Sequence, residues 1–265
     1  MEIQLLDGYL GVAALLGRRT AELHAALAKS DDPAFKPEPY TRLYQRSLYQ
    51  SMRNTIRRPL QTLQTNVSKL EGETRPLAEA LLARRDELMA RIARVKEQKI
   101  DAMRIRCHGD YHLGQVLWTG CDFMIIDFEG EPTRPLGERR LKRTCLSDVA
   151  GMLRSIQYVA EGGLRELVSR GTIDRTAAEY PRFAQWADFW RLSAEADFLR
   201  GYLSAVDPKL IPADVDGFNL LLDAWLLQKA AYEVGYELNS RPDWLDIPLR
   251  GILKLLDAPP SLRSS

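Results

Sequence analysis

The stretch from Arg106 to Pro132, RCHGDYHLGQVLWTGCDFMIIDFEGEP, constrains the fold of this chain more than any other. It reads as polar loop, strand, turn, strand and acidic cluster. Val116, Leu117 and Trp118 form a short apolar run, and Phe123 to Ile126 is a second, partly β-branched one. Between them Thr119-Gly120-Cys121-Asp122 carries turn residues. The pattern predicts a tight hairpin, whose two ends come together. Asp110 and Gln115, before the first strand, are then set beside Asp127 at the end of the second. Two carboxylates and a side-chain carbonyl are hard oxygen donors, the ligand type Mg²⁺ prefers when substrate phosphates complete its shell. The set also permits a division of labour, one carboxylate taking a proton while the others hold metal.

These residues carry a resemblance. His108-Gly109-Asp110, Gln115 five positions after the aspartate, and Ile126-Asp127-Phe128 resemble the catalytic loop and metal-binding loop of the protein-kinase-like fold. The His-Gly-Asp form is that of the aminoglycoside-phosphotransferase-like small-molecule kinases. The fuller strings HGDYHLGQVL and IIDFEGEP are similar to the maltokinase family, often found fused behind trehalose synthase. The resemblance implies that Asp110 is the catalytic base and that Gln115 and Asp127 bind Mg²⁺ on ATP. It also implies that Asp148 buttresses the catalytic loop, with His108 as a second support. Gln115 stands where most kinases have Asn, and Glu129 where protein kinases have Gly. Both departures match the maltokinase pattern.

A competing reading is a metal hydrolase, because His108, Asp110 and His112 alternate along an extended segment. Zinc sites usually recruit further His or Cys ligands. The chain has three histidines, and the third, His24, falls on a distant predicted helix, where packing or hydrogen bonding explains it more simply.

Composition sets the outer bounds. The 265 residues carry a net charge of +1, which disfavours a nucleic-acid or membrane-surface partner that would need a basic excess. Three cysteines (Cys107, Cys121 and Cys145) suit reduced thiols in a cytoplasm better than a disulfide framework. The apolar run Leu10 to Leu16 is too short for a membrane span and follows Glu2 and Asp7 rather than a basic segment.

The rest of the chain reads as helix. Residues 7–28 show an apolar stripe through Leu10, Ala13, Ala14, Leu16, Ala21, Leu23 and Leu27, stopped by KSDDP. The string LGRRTAELHAALA is again similar to the maltokinase family. A Pro-rich connection follows. Residues 40–100 are helical, with Pro59 expected to kink or end the first segment. Pro76 to Lys99 reads as a second, with Arg84, Arg85, Arg91, Arg94 and Lys96 as a solvated face. Tyr40, Tyr44 and Tyr49 read as helix packing. After the hairpin, Arg139, Arg140, Lys142 and Arg143 read as a solvated turn. Ser147 is a plausible cap for a helix over 149–158. Two further helices are expected over 180–206 and 217–239. On the second, Trp225, Lys229, Tyr232, Glu233 and Tyr236 fall on one face, alternating aromatic with charged groups as a sugar site requires. The simpler alternative is an exposed face with Lys229 paired to Glu233. The family resemblance favours the sugar site, since KAAYEVGYELNSRPDW resembles the segment that contributes to its pocket. His112, Glu129 and Arg134 join Lys229, Tyr232, Glu233 and Tyr236 as candidate substrate-side residues. Arg134 is placed either to face substrate or to pair with Glu129 or Glu131.

The expected architecture is mainly α with one small β-hairpin: the large, C-terminal lobe of a kinase-like fold over residues 1–265. Within it, 1–100 is helical, 104–132 carries the catalytic loop and metal hairpin, and 147–257 is a helical substrate side. No Val/Ile-rich strands or VAIK-like segment precede Asp110, so the N-terminal β-lobe is expected to be absent. The resemblance implies ATP-dependent phosphorylation of maltose to maltose 1-phosphate for α-glucan and glycogen synthesis, with a trehalose synthase domain as a partner. Other small-molecule kinases, acting on aminoglycoside- or choline-like acceptors, are alternatives. A non-catalytic module that binds sugar or docks to trehalose synthase is another.

Overall fold

The computed structural model describes residues 2–258, with side chains from residue 11 onward. Leu10 of the first stripe and the Pro/Ser tail from residue 259 lie outside the described side chains. In chain order the elements are helix α1 (Glu2–Leu27), strand β1 (Glu38–Pro39), α2 (Arg42–Asn66), α3 (Thr74–Ala83), α4 (Arg85–Glu97) and β2 (Met103–Arg104). They continue with β3 (Val116–Trp118), β4 (Phe123–Ile125), α5 (Leu136–Arg139), α6 (Leu146–Ser169), α7 (Tyr180–Leu203), α8 (Val215–Ser240) and α9 (Asp246–Asp257). No described helix is long and apolar enough to cross a membrane. The mainly helical architecture with a small β-hairpin expected from the sequence is the one observed. It differs in one respect. Two small antiparallel sheets are present among the described residues, because β1 of the Pro-rich connection pairs with β2.

The chain forms two units, one made of the residues up to Pro37 with Ile105–Asp207, the other of Glu38–Arg104 with the residues from Pro208. In the first, α1 crosses α7 with almost no side chain between them. A Cβ on Gly17 would overlap the carbonyl oxygen of Phe198, and one on Gly201 would overlap that of Ala14. The close crossing lets Leu16, Ala21, Phe198 and Tyr202 share a core with Val149, Met152 and Leu153 of α6. Lys142, expected on a solvated turn, is instead buried, its ammonium donating to the carbonyls of Pro33 and Lys36. The α6 helix runs on to Ser169, with Cys145 rather than Ser147 at its cap position.

In the second unit, Thr41 caps α2 by accepting from the Tyr44 amide. The helix does not end at Pro59 but runs on to Asn66. Leu60 and Leu63 beyond the proline are fully buried, which offsets the lost backbone bond. The proline ring lies against Gly235 of α8, where a Cβ would stand 3.2 Å from its Cγ. The next expected helix is split at Arg84, whose guanidinium pairs with Glu87 and Asp257. Arg91 does not belong to a solvated face. It makes a two-pronged contact with Asp223 on α8, at 2.6 and 2.9 Å, and donates to the carbonyls of Leu256 and Ala258 at the end of α9. The tyrosines do pack: Tyr40 and Tyr44 meet edge to face, and Lys96 lies over Tyr49.

Candidate active site

The expected hairpin forms, with Val116 opposite Ile125 and Trp118 opposite Phe123. Its turn is closed by Thr119, which both donates to and accepts from Asp122. Arg19 of α1 grips that turn, its guanidinium donating to both carboxylate oxygens of Asp122 at 2.7 and 2.9 Å. This contact and the Phe123 amide hold the Asp122 carboxyl below the usual carboxylate range.

At the open end, the Ile126 amide donates to the Gln115 carbonyl, bringing the flanking residues together. The Gln115 side-chain amide then donates to Asp127 Oδ2 at 2.9 Å. Asp127 is the one non-glycine residue with positive φ among the described residues, at 63°. That conformation is costly for an L-residue, though aspartate tolerates it better than most. It turns the exposed carboxylate out of the strand line and toward Gln115.

The loop bearing Asp110 is irregular and is held from beneath by α6. Asp148, buried at the start of that helix, accepts from the amides of His108 (2.8 Å) and Gly109 (3.0 Å). One turn on, Gly151 lets the Tyr111 carbonyl approach to where a Cβ would stand 2.5 Å from it. One turn further, Ser155 Oγ accepts from the Leu113 amide at 3.0 Å. Positions 148, 151 and 155 therefore form one stripe, at helical spacing, that fixes the loop from 108 to 113. Gly109 has φ of 89°, open to glycine at little cost, and a Cβ there would press on Gly130. His108 ties loop to hairpin: Nε2 bonds the Ile126 carbonyl at 2.8 Å, and Nδ1 faces the Asp110 amide. Its ring lies between Tyr111 and Phe128.

Burial pushes the Asp148 carboxyl up. Hydrogen bonds from His24 and the Gly109 amide outweigh that, so it stays ionised below the usual carboxylate range. Asp110 is largely sheltered, and His112 Nε2 stands 3.9 Å from its Oδ2. His112 Nδ1 accepts from the Gly114 amide. The zinc alternative finds no support in the ligands: both ring nitrogens of His24 and of His108 face protein partners. Among the described residues no group of three or more His, Cys, Asp or Glu side chains is arranged to hold a metal. Gln115 and Asp127 do fit Mg²⁺. Their contact leaves one amide and one carboxylate oxygen available, a partial set of the kind that ion takes when waters and phosphates supply the rest.

The remaining candidates are spread out. Glu129 is exposed in the turn after Asp127, and the Arg134 amide donates to the Glu131 carbonyl. Lys229, Tyr232, Glu233 and Tyr236 lie on α8, in the second unit. Lys229 stands over the Tyr232 ring, and Tyr236 lies beside Arg241. On this face Trp225 and Glu233 are buried, Lys229 and Tyr232 half-buried and Tyr236 exposed. Three residues that shape the site escaped the sequence reading, Arg19, Gly151 and Ser155, while His24 hydrogen-bonds as expected. Only the helical spacing 148–151–155 could have signalled Gly151 and Ser155.

Comparison with known proteins agrees with this architecture. Residues 8–130 match the APH phosphotransferase enzyme family. The chain is 28% identical over 261 residues to the glucosamine kinase of Streptacidiphilus jiangxiensis, covering 95% of this chain and 50% of that protein. It is 29% identical over 255 residues to the glucosamine kinase of Mycolicibacterium smegmatis, covering 96% and 54%. A solved glucosamine kinase in complex with glucosamine, ADP and inorganic phosphate superposes with a TM-score of 0.70 at 25% identity, covering 95% of this chain and 56% of that one. The chain thus spans about half the length of the curated relatives it matches.

Proposed function

We propose that this chain carries the acceptor-side machinery of an ATP-dependent sugar kinase. The observation that supports this most strongly is the Gln115–Asp127 contact at the foot of a hairpin tied by His108 to the Asp110 loop. In this reading Asp110 accepts the proton of a sugar hydroxyl as its oxygen attacks the γ-phosphorus of ATP, and the bond to ADP breaks. Gln115 and Asp127 hold Mg²⁺, which when bound neutralises charge on the phosphates. His108 and Asp148 keep the loop backbone fixed, so that Asp110 meets the hydroxyl without reorganisation. Leu117 and Met124 face each other across the hairpin and leave 50% and 56% of their surfaces exposed. An apolar strip of that kind suits a ligand or a further protein surface.

For the acceptor, glucosamine is the first choice, because the two relatives matched over nearly the whole chain are named for it. Maltose is the second, supported by the strings HGDYHLGQVL and IIDFEGEP. A role in glycogen synthesis and a trehalose synthase partner follow only with maltose. On α8, Lys229, Tyr232, Glu233 and Tyr236 supply the aromatic faces and charged ends that sugar hydroxyls need.

A coupled ADP-release assay with glucosamine, maltose, an aminoglycoside and choline tests the reading, on this chain and on any longer polypeptide that carries it. Asp110→Asn should lower kcat at least about 10²-fold while unfolding stays cooperative. Near-wild-type kcat in that variant would remove Asp110 from its role. Glu233→Ala should raise KM for the sugar more than KM for ATP. No ADP release with any acceptor from a folded protein would favour a non-catalytic sugar-binding module.

A further inference from the structure

His24 is a fully buried titratable side chain that the catalytic scheme leaves unused. It sits on α1, with no solvent exposure, between two partners. Its Nε2 lies 3.2 Å from Asp148 Oδ2, and its Nδ1 lies 3.0 Å from the Tyr202 hydroxyl on α7. Asp148 Oδ2 is the oxygen that also accepts from the His108 amide, while Oδ1 accepts from Gly109. An ionised carboxylate only accepts, so His24 must present Nε2–H to it. The Tyr202 hydroxyl is pushed up by burial and by neighbouring Cys145, so it stays protonated and can donate to Nδ1. The Cys145 thiol, raised to about 12 chiefly by burial, hydrogen-bonds Tyr202 in turn. Donor directions thus run consistently from α7 through α1 to Asp148, which accepts from the loop amides on its other side.

We infer that His24 is a positioning residue for the transfer reaction: through its Nε2–H it orients the Asp148 carboxylate, and thereby the backbone that carries Asp110. Deeply buried hydrogen-bonded groups polarise and rigidify one another, so the His24 ring sets which carboxylate rotamer faces the loop. The kinetic part of this inference rests on Asp110 being the base; the structural part does not.

Two isosteric substitutions separate positioning from mere packing. A glutamine at position 24 can place its amide N–H where Nε2–H stands. An asparagine reaches only the Nδ1 side, toward Tyr202. Amide hydrogen exchange of Gly109, followed by NMR without substrates, reads the loop directly. His24→Gln should keep Gly109 exchange within about 3-fold of wild type, whereas His24→Asn should speed it by about 10-fold or more at matched global stability. In the kinase assay His24→Asn should lower kcat by about 10-fold, the scale of a small misplacement, with KM values little changed, and His24→Gln should restore it. Equal exchange in the two variants would overturn the inference, whether or not the protein phosphorylates a sugar. Should either variant fail to fold, Tyr202→Phe decides. It leaves the imidazole in place but removes the donor that fixes its tautomer, and unchanged Gly109 exchange would again overturn the inference.

Discussion

The two units bury polar side chains for different ends. In the first, His24, His108 and Asp148 converge on the amides of an irregular loop, and Thr20 joins them by meeting the Tyr111 hydroxyl. In the second, buried polar groups close helix ends. Gln45 donates to the carbonyls of Val95 and Gln98 at the end of α4, and Arg91 does the same for Leu256 and Ala258 at the end of α9. A helix terminus leaves unpaired carbonyls wherever it occurs, so the second pattern serves the fold. A loop outside regular structure has no ladder of its own. Pinning it from beneath is worthwhile only where its shape matters, which points to the loop at 108–113 as the working part.

Substitutions can break that comparison or sharpen it. The largest effect is expected from Asp148→Asn, which places a donor against backbone amides and should cost about 3–5 kcal/mol, as when a buried pair loses one partner. Arg91→Ala should cost a similar amount by stranding Asp223, yet leave the kcat of the folded protein unchanged. Chemical denaturation paired with the ADP-release assay checks both. If Arg91→Ala lowered kcat as much as Asp148→Asn, the contrast between the units would fail. The Asp148 carboxyl, depressed on folding, also sets an acid response. Its stabilisation is fully present above the usual unfolded value of about 3.9 and is lost as pH falls through the lower folded value. The Asp148→Asn variant should therefore show a shallower fall in stability below about pH 4 than the parent. Next comes Gly201→Ala, which forces α7 away from Ala14 and should cost about 1–3 kcal/mol as overpacking. The smallest effect is expected from Gln45→Leu, about 1–2 kcal/mol from the lost carbonyl contacts, with no change in kcat or KM.

The hairpin and the meeting of Gln115 with Asp127 were legible in the sequence because they are local. Twelve positions separate the two side chains, and turn chemistry with alternating apolar runs brings them together. The helices expected over 180–206 and 217–239, observed as Tyr180–Leu203 and Val215–Ser240, were legible for the same reason, from their periodicity. What the sequence left open or misread depended on neighbours distant in sequence. Pro59 continues its helix because the residues beyond it are buried and Gly235 leaves space for its ring. Arg91 and Lys142 look like solvated charges until the carbonyls they satisfy are in place. Glu38 and Pro39 form a strand only because Met103 and Arg104 lie alongside.

The sequence by itself determined the chemistry available to this protein: a carboxylate in an HGD loop and an amide–carboxylate pair flanking a hairpin. Residue type and short spacing suffice for that. Only the tertiary structure decided how the loop is held. Asp148, Gly151 and Ser155 lie along one face of α6, but a helical stripe does not say what it will meet. His24 lies 124 residues from Asp148, and it reaches that carboxylate because Gly17 and Gly201 bring α1 and α7 into contact. Contacts across such distances depend on how helices pack, which hydrophobic periodicity leaves open.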